Sequence, residues 1–372
     1  MQAAVLSAPG RLDIVEHPEA RAPGQGEALV AVRRVGICGT DYHAFGGTQN
    51  FIAYPCVLGH ELAVEVLEVG PGVTDVAPGD LCAVLPYVSC GTCGACRRGR
   101  TNCCVRIEVL GVTRAGGLRE RMVLPASLLF VGDGLTLDQL VLVETLGIGW
   151  HAVDRGAPGP QDDVLVLGAG PIGLAVAQAA RTRTKRVLVA DVSEARVAFA
   201  AASGLESLAV DGGLAAAVLD RYDGDLPSMV VDASGNRASM EGAFGLVGTG
   251  GTLVLVGHTT GPLTFQNPNF HARELDVRAS RNATRADWAQ VIRGVRDGAL
   301  DAVGWVNHRT TLAAVAEELP RLAGSPGDVV KAVVEVGSDV GPQAGTQAGT
   351  QVGPQVGPQV GTQVGAERGG TP

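Results

Sequence analysis

The sequence has no excess of positive charge. Its 29 lysines and arginines are outnumbered by 38 aspartates and glutamates, and the formal net charge is −9. An acidic protein repels nucleic acid and anionic membrane surfaces. We therefore expect neither nucleic acid nor membrane as a partner, and a small molecule as the substrate.

The sequence also lacks a long uninterrupted hydrophobic run. The longest apolar stretch, residues 164–180, is broken by three glycines and a proline, so it does not predict a membrane span. The first residues, MQAAVLSAPGRLDIVEH, contain no basic region followed by an apolar run, as a secretion signal would. These absences predict a cytoplasmic protein. In that reducing compartment, clustered cysteines are more often metal ligands or redox groups than disulfides.

At 372 residues the chain is long enough for two domains. Runs such as ALVAVRRVGI and LAVEVLEVG, separated by Gly, Pro and Asp turns, predict an antiparallel, mostly β domain over residues 1–153. Over residues 154–289 apolar strands alternate with helical runs, for example VLVL with PIGLAVAQAAR, which predicts an α/β fold with a doubly wound parallel sheet. Residues 290–339, which contain the strand-like KAVVEV, are expected to return to the first domain.

The C-terminal end is a low-complexity repeat. Residues 341–364 are GPQA GTQA GTQV GPQV GPQV GTQV, six four-residue units without an aromatic or charged residue. Such a segment cannot bury enough apolar surface to offset its ordering entropy. We expect residues 340–372 to form a disordered tail.

Five of the eight cysteines lie in the stretch SCGTCGACRRGRTNCC, residues 89–104. Cys90, Cys93 and Cys96 follow one another at C-x-x-C spacing, and Cys103 and Cys104 compete for a fourth position. Four converging thiolates complete the tetrahedron that Zn²⁺ favours and leave no place for a substrate. An iron–sulfur cluster remains an alternative, whereas a redox C-x-x-C pair lacks its usual βαβ context. The spacing favours a structural zinc site.

A glycine-rich turn follows the strand VLVL and begins the helix LAVAQAAR. In this context G-x-G-x-x-G allows a tight turn and brings a pyrophosphate close to the helix N-terminus. The strand RVLVAD then ends in an acid, about twenty residues on, where a carboxylate accepts ribose hydroxyl hydrogens and repels a 2′-phosphate. This predicts NAD rather than NADP, although Arg196 is near, and the acid could instead cap the following helix. The predicted cofactor residues are Gly168, Gly170, Pro171, Ile172, Gly173 and Asp191.

A second, open metal site is suggested by three distant segments. Cys38 lies in GICGTDYHAFGG, His60 in YPCVLGHELAVEV and Glu144 in LVETLGIGWHAV. A thiolate, an imidazole and a carboxylate leave one position for water or substrate, as catalytic zinc requires. Each residue alone is more often structural, so spacing by itself does not establish the site.

The segments GICGTD, GHE, the C-x-x-C-x-x-C-x₇-C loop, ETLGIGWHAV and GAGPIG, in this order, resemble the zinc-containing medium-chain dehydrogenase/reductase family, the alcohol dehydrogenases. The similarity covers residues 1–337. Glu144 stands where ethanol-type members carry a cysteine, which makes the chain more similar to the polyol and threonine dehydrogenases. The resemblance implies a GroES-like catalytic domain joined to a Rossmann domain, and a homodimer or homotetramer.

The resemblance also implies an activity: oxidation of a secondary alcohol of a polyol, sugar or sugar acid to its ketone. Two zinc ions per chain are expected, one held by Cys38, His60 and Glu144 and one by Cys90, Cys93, Cys96 and Cys104. Thr40 would take the alcohol proton and pass it through the cofactor ribose to His43. Glu61 would be either an exchanging zinc ligand or a partner of the ligands. Hydride would pass to the nicotinamide.

The chain departs from the family pattern in two places. AGGLRERMVLPA has Arg119 and Arg121 where many relatives have an aromatic residue, and Arg281 and Asn282 follow a strand of the nucleotide domain. An arginine at such a place could pair with a substrate carboxylate, which would favour a sugar acid. Competing interpretations are a primary-alcohol or aldehyde reductase, a catalytically silent NAD- and zinc-binding scaffold, and a zinc-ribbon nucleic-acid binder, the last disfavoured by the acidic charge.

Overall fold

Four β-sheets organise the part of the chain that the structure describes. The structure is a computed structural model and describes residues 1–210, 212–302, 304–324 and 327–337; the predicted tail, residues 340–372, lies outside them. The strands are β1 (Gln2–Ala8), β2 (Arg11–Glu16), β3 (Glu27–Ile37), β4 (Cys56–Val57), β5 (Glu61–Val69), β6 (Leu81–Val84), β7 (Tyr87–Val88), β8 (Glu108–Val109), β9 (Arg121–Pro125), β10 (Leu129–Val131), β11 (Asp163–Leu167), β12 (Arg186–Asp191), β13 (Glu206–Ala209), β14 (Met229–Asp232), β15 (Thr252–Leu255), β16 (Asp276–Ala279), β17 (Val306–Thr311) and β18 (Lys331–Glu335).

The helices lie between these strands. They are α1 (Gly39–Phe45), α2 (Gly94–Arg97), α3 (Leu137–Val141), α4 (Val143–Gly156), α5 (Pro171–Arg181), α6 (Glu194–Ala202), α7 (Leu214–Arg221), α8 (Arg237–Ala243), α9 (Asn267–Ala272), α10 (Arg285–Arg296) and α11 (Val315–Gly324). No helix among the described residues is both long and apolar enough to cross a membrane.

The predicted doubly wound sheet is confirmed. Six parallel strands follow the order β13-β12-β11-β14-β15-β16. Along β11, Val164 and Val166 belong to one core, with α4 and α5, whereas Leu165 and Leu167 belong to a second core on the opposite face. Burial of both faces explains why the central strands β11, β12, β14 and β15 are almost continuously apolar. The carboxyl ends of the strands form the edge where the glycine-rich turn lies.

The larger sheet is mixed rather than purely antiparallel. Its order is β10-β6-β5-β3-β18-β17, and β9 also pairs with β3. The late strand β18 pairs antiparallel with β3, so residues near 331–335 rejoin the sheet of the first segment. Strands β17 and β18, in the segment expected to return to the first domain, are parallel to each other. Helix α11 connects them, and a helical crossover places consecutive strands in parallel.

Helix α4 packs closely against both α5 and α10. An added Cβ at Gly149 would lie 2.4 Å from the Ala175 backbone on α5, and one at Gly147 would lie 2.7 Å from the Trp288 ring on α10. Both glycines therefore allow α4 to approach its neighbours more closely than any other residue would. This close packing fixes the position of the side chains that α4 contributes to the candidate site.

Candidate active site

The glycine-rich turn has the backbone geometry of a dinucleotide-binding loop. Gly168 has φ +99°, in the region that favours glycine. A Cβ on Gly173 would lie 1.7 Å from the Gly168 carbonyl oxygen, so helix α5 can approach β11 only with glycine there. These are the roles of the first and third glycines in the pattern.

Gly170, by contrast, faces open space. Its nearest neighbour on the Cβ side is Arg196 Nη1, at 4.0 Å. Gly170 is the N-cap of α5, and Pro171 and Ile172 form the first helical turn, where free N–H groups and the helix dipole favour an anion. A cleft lined by this turn, α6 and residues 328–330 continues from it. The turn therefore fits a pyrophosphate.

Asp191 ends β12 beside this turn and is 7% exposed. Its Oδ2 accepts a hydrogen bond from Ala169 N at 2.6 Å, and its Oδ1 accepts from Ser193 N at 2.8 Å. The helix-cap alternative is wrong, because Ser193 caps α6. Arg196 Nη1 lies 4.0 Å from the carboxylate. Asp191 thus stabilises the glycine turn through its hydrogen bond with Ala169 N. It stands at the position where an acid would contact the ribose of a bound adenosine.

The four cysteines predicted as structural ligands converge. The Sγ atoms of Cys90, Cys93, Cys96 and Cys104 lie within 4.8 Å of one another, with Cys93 Sγ at 3.5 Å from Cys96 Sγ and 4.0 Å from Cys104 Sγ. A tetrahedral zinc with sulfurs at about 2.3 Å separates them by about 3.8 Å. All eight cysteines are free, and Cys103 is exposed and outside the group.

Hydrogen bonds and charge favour the thiolate form of Cys90, whereas burial raises the pKa of Cys96. The backbone N–H groups of Cys90 and Arg106 each donate to Cys104 Sγ at 3.3 Å. A hydrogen bond from the Arg106 guanidinium lowers the pKa of Cys90 below its ordinary value. The donor set therefore suits a divalent cation that binds thiolate.

A second group of possible metal ligands lies where α1 and β5 begin. The ligand atoms of Cys38, His60 and Glu61 lie within 4.8 Å of one another. His60 Nδ1 is buried without a hydrogen-bond partner among the described residues. Burial alone would lower the pKa of His60, but Cys38, Asp41 and Glu144 raise it well above its ordinary value. The same negative groups that raise the pKa of His60 would also favour a bound metal cation.

Glu144 lies beside this group rather than within it. It is 5% exposed, and its Oε1 accepts a hydrogen bond from the Tyr87 hydroxyl. Burial raises the pKa of Glu144, and the nearby His60 opposes that shift. The carboxylate that groups with Cys38 and His60 in the structure is thus Glu61, whereas the sequence favoured Glu144 as the third ligand.

Glu61 is also half of a buried ion pair. Lys331 Nζ on β18 lies 2.6 Å from Glu61 Oε1 and 2.7 Å from Oε2, and Thr145 Oγ1 donates to Oε1 at 3.0 Å. The Lys331 and Glu61 side chains are 2% and 0% exposed. Sequence reasoning missed Lys331, Thr145 and Tyr87. The one available signal was a lysine at the start of the apolar strand KAVVEV.

Thr40 and His43 lie one turn apart on α1, so they share a face of the helix. Thr40 Oγ1 lies 3.8 Å from Cys38 Sγ. His43 is exposed, and its Nδ1 lies 2.9 Å from Thr48 Oγ1. The helix therefore places a hydroxyl beside the candidate metal group and an imidazole at the solvent.

The arginines that depart from the family pattern differ in their partners. Arg121 pairs with Glu19 at 3.5 Å. Arg119 and Arg281 form no ion pair with any described residue, and burial lowers the pKa of Arg119. Arg281 is exposed, and the neighbouring Asn282 adopts φ +52°. Arg281 is thus a cation without a partner, next to the carboxyl edge of the parallel sheet.

Comparison with known proteins identifies the family. Residues 24–132 match the alcohol dehydrogenase GroES-like domain, and residues 171–296 match the zinc-binding dehydrogenase model. The chain is 41% identical over 315 residues to L-galactonate-5-dehydrogenase of Escherichia coli strain K12, covering 84% of this chain and 92% of that protein. It is 31% identical over 324 residues to L-idonate 5-dehydrogenase of Vitis vinifera, covering 83% and 88%. A crystal structure titled short chain alcohol dehydrogenase (rspB) from Escherichia coli CFT073, complexed with NADH, has a TM-score of 0.84 and 30% identity and covers 90% of this chain and 99% of that one. The chain therefore belongs to the zinc-binding alcohol dehydrogenase family of oxidoreductases, as the order of its motifs predicted.

Proposed function

We propose that the protein interconverts a secondary alcohol and its ketone in a sugar acid or polyol, with NAD as the hydride acceptor. The observation that carries the proposal is the convergence of Cys38, His60 and Glu61 beside Thr40, with Glu144 next to this group. Cys38, His60 and a carboxylate would hold a Zn²⁺ there, which would supply a Lewis acid for the alcohol oxygen, and NAD held at the glycine turn would supply the hydride acceptor.

We assign the third ligand position to Glu144 and a partner role to Glu61. Both oxygens of Glu61 contact Lys331 Nζ. If Glu61 turned to a metal ion, the buried ammonium would lose its counter-charge, which is costly. Among the described residues, the hydrogen-bond partner of the Glu144 side chain is the neutral Tyr87, so this carboxyl group could turn to a cation without breaking an ion pair.

The chain's own residues support the proton transfer. Thr40 accepts the alcohol proton beside Cys38, and the exposed His43, one helical turn away, releases a proton to solvent. In the proposed relay the cofactor ribose would pass the proton from Thr40 to His43. A half-buried hydroxyl linked in this way to an exposed imidazole would allow deprotonation without opening the site to water.

The substrate class follows from Arg281 and from the relatives. An exposed guanidinium without an acidic partner can bind a carboxylate with two parallel hydrogen bonds. Two of the relatives are named for sugar acids, L-galactonate and L-idonate. We therefore propose an aldonate as substrate in preference to a neutral polyol.

Two further parts of the proposal concern the cofactor and the metals. Asp191 favours NAD because its carboxylate repels a 2′-phosphate, and the nearby Arg196 limits the preference. The four converging cysteines hold a second zinc with a structural role. We further propose two domains, residues 1–153 with 290–339 and residues 154–289, in a cytoplasmic homodimer or homotetramer.

The test is a dehydrogenase screen with metal-replete protein. Aldonates, the matched polyols and primary alcohols are each supplied with NAD or NADP, and NADH formation is followed by absorbance. We expect the highest kcat/KM with an aldonate and NAD. Arg281→Gln should raise KM for the aldonate but not for the polyol, and Arg121→Gln, which removes an arginine already paired with Glu19, serves as the control. Preference for primary alcohols would favour the reductase alternative, and no turnover of any compound would favour the silent scaffold.

A further inference from the structure

A chain of buried polar side chains links the cysteine loop to α4 and α10. Asn102 lies in the cysteine loop, His151 on α4 and Asp287 in the first turn of α10. Asn102 Nδ2 lies 3.1 Å from His151 Nε2, and His151 Nδ1 lies 3.0 Å from Asp287 Oδ2. The three residues are 2%, 6% and 5% exposed, so water does not readily replace these contacts.

The Arg281 carbonyl group fixes the donor-to-acceptor direction of these hydrogen bonds. Asn102 Nδ2 lies 2.9 Å from this carbonyl oxygen, which can only accept, so the amide nitrogen faces it. The second hydrogen of that nitrogen is donated to His151 Nε2, which must therefore be unprotonated. His151 then carries its proton on Nδ1 and donates it to Asp287. Asn102 Oδ1 has no partner among the described residues, so the nitrogen sets the orientation.

The chain of hydrogen bonds ends on the segment 281–284, directly after β16. Asn282 adopts φ +52°, and its Nδ2 lies 3.4 Å from the Asn102 carbonyl oxygen. Farther along, Asp287 Oδ2 accepts hydrogen bonds from Thr284 N at 2.6 Å and Thr284 Oγ1 at 2.8 Å. Both ends of the segment are thus tied to the same histidine, one through Asn102 and the other through Asp287.

We propose that His151 is a positioning residue for substrate recognition. With Asn102 and Asp287 it holds the turn that presents Arg281, so that the cysteine loop contributes to the shape of the substrate site. The inference rests on the proposed function in one respect only, namely that Arg281 binds the substrate carboxylate. The ordered hydrogen bonds and the held turn do not depend on that assignment.

The proton order is tested first on the unaltered protein. Nitrogen NMR of histidine-labelled holoenzyme should show one buried histidine with Nδ1 protonated and Nε2 unprotonated at neutral pH. The signal is assigned by its absence in His151→Gln. Protonation of His151 on Nε2 would overturn the proposal.

Two variants then separate positioning from general packing. His151→Gln keeps an acceptor for Asn102, whereas His151→Asn keeps a donor for Asp287 and leaves Asn102 without its acceptor. We expect His151→Asn to raise KM for the aldonate about five- to tenfold, the equivalent of one buried hydrogen bond, with KM for the matched polyol and kcat little changed. His151→Gln should raise KM for the aldonate much less than His151→Asn does. His271→Asn, at an exposed histidine, should leave this KM unchanged.

Hydrogen exchange distinguishes the positioning role of His151 from carboxylate binding by Arg281. In His151→Asn, peptides covering residues 280–284 and the cysteine loop should exchange faster than in the parent protein. One outcome is faster exchange with an unchanged KM, together with an Arg281→Gln variant that also leaves KM for the aldonate unchanged. This combined result would refute carboxylate binding by Arg281 and with it the role of His151 in substrate recognition. Unchanged exchange, or equal KM increases for aldonate and polyol, would refute the positioning role itself.

Discussion

The Lys331–Glu61 pair is the interaction whose removal should cost the protein most. Lys331 Nζ contacts both carboxylate oxygens, at 2.6 and 2.7 Å, and the side chains are 2% and 0% exposed. Among the described residues, Lys331→Met leaves Glu61 with the Thr145 hydroxyl, at 3.0 Å, as its side-chain hydrogen-bond donor. Because a buried carboxylate without its partner is destabilising by about 3–5 kcal/mol, and a neutral hydrogen bond returns only about 1 kcal/mol, we expect a net loss of about 2–4 kcal/mol.

A double-mutant cycle isolates the pair. In Glu61→Gln/Lys331→Met no charge is left, and the glutamine can still accept from Thr145, so the double variant should lose about 2 kcal/mol less than the sum of the single losses. Urea unfolding followed by fluorescence, with Trp288 and Trp305 both fully buried, measures these free energies.

An exposed pair provides the control for this cycle. Arg11 and Asp13 are 73% and 42% exposed, and Arg11→Met should cost less than about 1 kcal/mol. A loss of that small size in Lys331→Met, or a coupling near zero in the cycle, would refute the reasoning.

The pH dependence of the pair has a definite sign. Burial alone would lower the pKa of Lys331, but Glu61 and Cys38 raise it above the ordinary 10.5. A group whose pKa is higher in the folded state stabilises fully below its unfolded pKa and loses that contribution as pH rises through the folded value. The coupling should therefore be constant between about pH 6 and pH 9 and should fall only above about pH 10.5. A coupling that declined near neutral pH would contradict this assignment.

Three further predictions concern the cofactor and metal sites. Gly170→Ala should weaken NAD binding at least about tenfold and leave the melting temperature unchanged. Gly173→Ala, whose Cβ would lie 1.7 Å from the Gly168 carbonyl oxygen, should destabilise the fold by about 3 kcal/mol. Equal effects of the two variants in calorimetry would contradict this geometry. Cys104→Ser should remove one zinc per chain in metal analysis, whereas Cys103→Ser, at an exposed cysteine, should keep both, and the reverse result would reassign the fourth ligand. Asp191→Asn should raise the NADP to NAD ratio of kcat/KM about tenfold, because a repulsive charge is removed; an unchanged ratio would show that Arg196 decides the cofactor.

The sequence predicted those features that depend on local patterns. The apolar strands, the glycine turn and the cysteine spacing each lie within about twenty residues, and the structure has each where it was expected. The parallel β17–β18 pair and the helical nature of the segment around Glu144 were not predicted, because both depend on packing between segments distant in sequence. Lys331 pairs with Glu61 across 270 residues, and no local pattern marks such a partner. The choice between Glu61 and Glu144 as metal ligand depends on that ion pair, so spacing alone could not make it.

Helix α4 connects these distant contacts. Glu144 and His151 are seven residues apart, about two turns, so they project from the same face of the helix. Glu144 contacts Tyr87 near the candidate metal group, and His151 contacts Asn102 in the cysteine loop. Gly149 holds the same helix against α5, which begins at the cofactor turn. A displacement of about 1 Å in a reacting group can reduce a rate about a hundredfold. The close packing of α4 at Gly147, Gly149 and Gly156 would therefore keep the proposed ligand, the glycine turn and the turn that carries Arg281 in fixed relative positions.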